Sequence, residues 1–170
     1  TAAIWSDVDG DGWPDLLLTV EWGEVRYFHN RQGQGFDDWT EKAGFASAGT
    51  GWWRSIATAD FNGDGRPDFV VGNLGLNTPY RASPEHPTLL FAGDFGGRTP
   101  YELIEAIDEG GTLFPRRSRL DLAAVNPAIR VRFPKNDAFA RATLPQIFGQ
   151  DKLDAATRLA VTELRSGVFL

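Results

Sequence analysis

Cysteine and methionine are both absent from the 170 residues. Without cysteine, disulfides contribute nothing to stability, and the redox compartment cannot be read from thiols. Lacking methionine and beginning at Thr1, the sequence has the character of an internal piece or a processed product. No apolar run approaches the roughly twenty residues of a membrane helix, and no signal peptide is visible. Histidine is scarce: His29 reads as a surface residue at a strand end and His86, between Glu85 and Pro87, as a loop residue. Neither lies near a nucleophile motif. Gly44-Phe45-Ala46-Ser47-Ala48-Gly49 does not match the Gly-x-Ser-x-Gly elbow, and Gly33-x-Gly35 lacks a third glycine and a following helix. No catalytic residue is assigned, and a protein that is not an enzyme is expected.

Positive charge is also in deficit. The formal net charge is −6, and it is uneven: residues 1–90 carry six Lys and Arg against thirteen Asp and Glu, while residues 91–170 carry eleven against ten. This balance argues against nucleic acid as a partner. The one basic stretch, Arg116, Arg117, Arg119, Arg130, Arg132, Lys135 and Arg141, reads as arginines on solvated helices. With 42% hydrophobic residues, the length suits one globular domain with a real core.

What the sequence has in plenty is a repeated acidic loop. Asp7-Val8-Asp9-Gly10-Asp11-Gly12-Trp13-Pro14-Asp15 and Asp60-Phe61-Asn62-Gly63-Asp64-Gly65-Arg66-Pro67-Asp68 both place oxygen side chains at positions 1, 3, 5 and 9, glycine at 6 and proline at 8. A hard cation such as Ca²⁺ takes roughly six to eight oxygen ligands, and alternate residues of a tight loop can aim theirs inward while glycine permits the sharp turn. The predicted ligands are Asp7, Asp9, Asp11 and Asp15 in the first loop and Asp60, Asn62, Asp64 and Asp68 in the second, with the position-7 carbonyls of Trp13 and Arg66. Two bound Ca²⁺ would bring the formal charge from −6 to about −2. An EF-hand closes with Glu at position 12, where this chain has Leu18 and Val71. Short β-rich runs flank each loop instead, so the ion is expected at the tip of a strand-loop-strand hairpin.

Taken in order, the first repeat predicts a strand ending near Trp5, a second over 16–21, a turn at Trp22-Gly23, a third over Val25 to His29, a turn from Asn30 to Gly35, and a fourth extended segment at Phe36 to Thr40. Four short strands joined by hairpin turns describe one blade of a β-propeller. The second repeat runs from Trp52 through its loop into Phe69-Val70-Val71 and then departs into an irregular stretch with Pro79, Pro84 and Pro87. A third loop survives in eroded form, Asp94 to Glu102, with Gly96 at position 3 and Arg98 at position 5. Arg98 is expected to replace a metal there by pairing with Asp94 or Glu102, leaving the third hairpin metal-free. After a strand at Leu103 to Ile107, helical punctuation begins, and 116–157 is predicted as a helical insertion before a return to strand. The domains expected are blades over 1–50, 51–90 and 91–170, the last degenerate and interrupted. The fold class is mainly β: propeller blades with calcium-binding hairpins and a helical insertion. Two clear repeats and a third are too few for a closed propeller of about four to eight blades, so a segment of a longer propeller, or docking of other copies at the open edges, is expected.

These loops within strand-rich repeats resemble the FG-GAP/VCBS repeats of integrin-like β-propellers. Gly51-Trp52-Trp53-Arg54-Ser55-Ile56, Gly72-Asn73-Leu74-Gly75-Leu76-Asn77 and Ser166-Gly167-Val168-Phe169-Leu170 resemble a bacterial branch related to the cartilage acidic protein family, whose longer members carry an ASPIC/UnbV module. The resemblance implies an extracytoplasmic, calcium-stabilised propeller within a larger secreted or surface protein, with about two Ca²⁺. Three functions fit. The first is a module for binding or adhesion to protein or glycan, with Trp22, Trp52, Trp53 and Tyr80 able to stack on sugars. The second is a structural scaffold, favoured if those aromatics are buried. The third is a polysaccharide-active enzyme built on the same propeller.

Overall fold

Both acidic loops are the tips of antiparallel hairpins. In the computed structural model, which describes residues 1–170, β1 (Ala3–Ser6) pairs with β2 (Asp15–Leu18) so that Ser6 faces Asp15, the ninth loop residue. Further along lie β3 (Glu21–Gly23), β4 (Arg26–Asn30), β5 (Phe36–Asp38), β6 (Gly51–Trp52), β7 (Ser55–Ala59) and β8 (Asp68–Gly72). The β7–β8 hairpin repeats the first: Ala59, just before its loop, faces Asp68 at position 9.

The chain divides into two compact units, Thr1–Pro84 with Val161–Leu170, and Glu85–Ala160. In the first unit, β1, β2, β4 and β5 form a four-stranded sheet in the order β1-β2-β4-β5, at the positions the alternating pattern predicts. Ile4, Leu17 and Tyr27 share one face, because cross-strand partners point the same way. That face joins Val25, Phe45, Trp53, Phe69 and Val71 in one apolar core. The opposite face carries Trp5, Leu16, Leu18 and Phe28, exposed or half-buried.

Two features differ from expectation. The predicted turn at Trp22-Gly23 is part of β3, which pairs with β6 through Glu21–Trp52 and Gly23–Gly51 and slips register between them. Trp22 absorbs the slip at a φ of 61°, a conformation that costs a bulky residue free energy and persists where its surroundings hold it. The second sheet takes its third strand from β13 (Gly167–Phe169), giving β13-β8-β7 with Gly167 opposite Val71. No closed barrel or propeller forms; the strands make four separate sheets.

In the second unit, β9 (Thr88–Gly93), β10 (Glu102–Glu109), β11 (Thr112–Pro115) and β12 (Thr157–Val161) lie in the order β11-β10-β9-β12. The hairpin between β9 and β10 keeps the register of the other two, Gly93 facing Glu102. Between β11 and β12 come α1 (Arg119–Val125), α2 (Ala128–Arg132), α3 (Asn136–Ala140), α4 (Leu144–Phe148) and α5 (Gln150–Ala155), within the stretch read as helical. Ser118 caps α1 by accepting the Asp121 amide, and Thr143 with Gln146 forms a capping box on α4, so orphan amides find partners at both starts. The helices bury Leu122, Ile129, Phe139, Leu144, Ile147 and Leu153 against Leu89, Phe91 and Ile104 of the sheet.

Candidate metal centre

The two loops fold alike, bond for bond. In the first, the Asp7 carboxylate accepts the amides of Gly10, Asp11 and Gly12 at 2.9, 3.1 and 2.9 Å, Asp9 accepts that of Asp11 at 3.3 Å, and Asp11 accepts that of Trp13 at 2.9 Å. In the second, Asp60 accepts from Gly63, Asp64 and Gly65 at 2.6, 3.2 and 2.9 Å, Asn62 from Asp64 at 2.9 Å, and Asp64 from Arg66 at 2.8 Å. The wrap needs left-handed backbone at two glycines per loop, Gly10 and Gly12 at φ 77° and 88°, Gly63 and Gly65 at 77° and 84°. The sequence reading singled out only position 6. Position 4 carries the same demand, which only glycine meets without a steric penalty.

The ninth residue braces each loop from below. Asp15 is fully buried; its Oδ2 accepts the Val8 amide at 3.0 Å and the Tyr27 hydroxyl at 3.1 Å, and its Oδ1 the Asn30 amide at 2.7 Å. Asp68, also buried, accepts the Phe61 and Asn62 amides at 2.8 and 3.2 Å. A buried carboxylate is tolerable only with donors of this kind. Burial and the neighbouring Asp15 charge push the Tyr27 phenol well above its ordinary value, so it stays protonated and donating.

One donor atom from each of Asp7, Asp9 and Asp11 lies within 4.8 Å of the others, and the same holds for Asp9, Asp15 and His29. No Lys or Arg pairs with any of these carboxylates; the one nitrogen-bearing side chain against them is His29, 3.2 Å from Asp9 and 3.4 Å from Asp15. The Asp7, Asp9 and Asp11 group, all oxygen and without a neutralising base, suits a hard divalent cation. Trp13 and Arg66 fix their amides on Asp11 and Asp64; in the second loop the Asn62 amide also donates to Asp64 at 3.2 Å.

His29 is not a surface residue. Its ring stacks on Trp39 at 3.8 Å and 15°, and its side chain is 13% exposed. The register shows why: Leu16 faces Phe28 and Leu17 faces Tyr27, so one step further His29 stands across from Asp15. The signal was the alternation of Val25, Tyr27 and His29 on one face, but using it requires that register. His86, by contrast, is exposed in a loop.

At the eroded loop, Gly96 donates to Asp94 at 2.8 Å and Gly97 to Glu102 at 3.2 Å. Arg98 does not pair with Asp94 or Glu102: its side chain is exposed, while its amide is held by the Val125 carbonyl at 2.9 Å. The cation there is Lys152 of α5, whose amine stands 2.8 Å from where a side chain on Gly96 would begin. Burial pushes the Glu102 carboxyl up, and Lys152 partly counters it.

The expected row of aromatics is largely internal. Trp52 and Trp53 are buried; Trp52 packs on Trp22 and Tyr80 at 4.5 and 4.8 Å. Trp53 donates its indole N–H to the Gly49 carbonyl at 3.2 Å. The aromatics that face solvent are others: Trp5 and Phe36, with centroids 5.8 Å apart, Trp13 and Phe61 on the loops themselves, and Tyr101 in the eroded loop.

Residues 7–71, from the first residue of the first loop to the strand beyond the second, match the family model of the FG-GAP-like repeat. No curated protein matches the chain.

Proposed function

We propose that the chain is a segment of a calcium-stabilised, extracytoplasmic β-propeller and that it serves binding or adhesion rather than catalysis. The observation that carries this reading is the shared geometry of the two loops, each wrapping its first carboxylate in three amides and bracing itself on a buried ninth carboxylate. Ca²⁺ would be held by Asp7, Asp9, Asp11 and Asp15, and by Asp60, Asn62, Asp64 and Asp68, with the carbonyls of Trp13 and Arg66. The ion would relieve carboxylate repulsion and stiffen the hairpin tips. The FG-GAP-like repeat at residues 7–71 supports the adhesion reading; the extracytoplasmic address is what the resemblance to such repeats implies. Within that repeat type, the Gly51 to Ile56 and Gly72 to Asn77 stretches speak for the bacterial branch related to the cartilage acidic proteins.

Burial of Trp52 and Trp53 moves the contact surface for a protein or glycan to Trp5, Phe36 and Trp13, and favours the scaffold as the second reading. Thermal unfolding with and without EGTA, followed by calcium titration, tests the proposal. About two bound ions and a calcium-restored rise in melting temperature are expected. Unchanged melting with no bound calcium would leave the loops as ordinary acidic turns and remove the reading.

A further inference from the structure

The base of the first loop differs from that of the second in one side chain. His29 brings an imidazole to Asp9 and Asp15, whereas the second loop offers oxygen donors alone. Nδ1 of His29 is shielded from solvent and makes no hydrogen bond, although it lies 3.2 Å from Asp9 Oδ2 and 3.4 Å from Asp15 Oδ1. An imidazole nitrogen so placed, between two carboxylate oxygens and out of water, needs either a proton or a metal ion on it.

We propose that His29 Nδ1, Asp9 Oδ2 and Asp15 Oδ1 form a site for a borderline divalent cation of the Zn²⁺ class, distinct in chemistry from the all-oxygen loop tip and absent from the second loop. Zinc binds nitrogen at about 2.0–2.1 Å and carboxylate oxygen at about 2.0–2.2 Å, and a tetrahedron with such bonds has edges of roughly 3.3–3.5 Å. The two distances from Nδ1 are close to such edges. Imidazole also shifts preference away from calcium, which takes oxygen ligands, and toward zinc, copper and nickel.

The ligands are already held in place. Asp15 is pinned by the Val8 and Asn30 amides and the Tyr27 hydroxyl. The His29 ring is fixed against Trp39, and the Lys42 amine sits 3.1 Å from the centre of the Trp39 ring. Asp9, with a side chain 31% exposed, opens the site to solvent, so water can complete the coordination. Asp9 also belongs to the Asp7, Asp9 and Asp11 cluster, and Asp15 is the ninth-position ligand proposed for calcium, so zinc and calcium compete for both carboxylates.

The inference goes beyond the calcium reading and stands without it. The test uses the whole chain, stripped of metal, titrated with Zn²⁺ alone by calorimetry and with Co²⁺ by visible absorption. One Zn²⁺ per chain is expected, together with Co²⁺ bands of low-coordinate nitrogen-oxygen ligation. His29→Gln should weaken zinc at least tenfold and abolish those bands, while Asp64→Ala in the second loop leaves zinc unchanged. Asp9→Asn, at an exposed side chain, provides a second route should His29→Gln fail to fold, and it too should weaken zinc at least tenfold. Absence of zinc binding, zinc bound equally by the His29→Gln or Asp9→Asn variant, or zinc lost with Asp64→Ala would each overturn the site and leave His29 as a neighbour of two carboxylates without a metal. A parallel calcium titration keeps the two ideas apart: loss of calcium binding with zinc binding intact counts against the calcium loops only.

Discussion

Tyr27 donates its hydroxyl to the buried Asp15 carboxylate at 3.1 Å, tying the third strand of the first sheet to the last residue of the first loop. A hydrogen bond to a charged group is worth about 1.5–3 kcal/mol. Tyr27→Phe should therefore lower unfolding free energy in urea by roughly that amount, even without metal. A change below about 0.5 kcal/mol would show that the Val8 and Asn30 amides satisfy Asp15 unaided.

The same pair controls an alkaline titration. Burial and the Asp15 charge raise the Tyr27 phenol above its ordinary value. A group raised on folding stabilises fully below its unfolded pKa and loses that contribution as pH climbs past it, here above pH about 10. Tyr27 should resist ionisation when the absorbance of the three tyrosines is followed across pH 9–11. Full ionisation of all three within that range would contradict the burial of that hydroxyl.

Asp64→Ala isolates the second loop's response to calcium. A ligand that binds only the native state adds about 2.7 kcal/mol per site at a hundredfold excess over Kd. The variant should lose the second loop's share of the calcium-induced rise in melting temperature and bind one ion fewer. A rise equal to the parent's would mean that Asp64 is not a ligand.

Glu102 and Glu163 are shifted in opposite directions. Burial raises Glu102, so its ionisation opposes folding: the stabilisation is whole below the ordinary carboxylate range and fades as pH rises through the elevated value. Glu102→Gln should be more stable than the parent at pH 7 and indistinguishable from it near pH 3. Urea midpoints across that range would expose the error if the gap ran the other way.

Glu163 is lowered to about 2, first by the Arg165 guanidinium, which donates through Nε at 3.0 Å and through its terminal nitrogen at 2.6 Å, with the Leu164 and Arg165 amides adding to it. Its contribution is present above the ordinary value and is lost as pH falls toward about 2. Because Arg165 is largely exposed, Glu163→Gln should cost about 1 kcal/mol or less at pH 6. Melting curves of the variant and parent should converge near pH 2, and a gap that persisted there would point to a cause other than charge.

The first sheet was legible because glycine and asparagine turns punctuate runs of alternating polarity, and the loop spacing itself carried the hairpin register. The eroded third loop kept that register, Gly93 to Glu102, after its ligand residues had gone. Long-range partners were not legible. Gly167-Val168-Phe169 contains no local sign that it pairs with Val71-Val70-Phe69, and Lys152 reaches the third loop only through the packing of α5. Trp52 and Trp53 show the same limit, since composition marks an aromatic residue but not which side of a sheet it occupies. His29 lay between the two cases: its face followed from period two, its partner Asp15 only from cross-strand alignment.

The pairing of β13 with β8 also constrains the order of events during synthesis. Chains emerge N-terminus first, and early segments begin folding before later ones exist. The β7–β8 hairpin, with its acidic loop, is complete by Gly72, yet its neighbour along Phe69 to Val71 arrives only at Gly167 to Phe169. Throughout that interval the β8 edge presents unsatisfied amides and carbonyls, the kind of template on which strands from other nascent chains can add. The whole of Glu85–Ala160 must leave the ribosome before this seam can close, and until it does the β8 edge stays open to other strands.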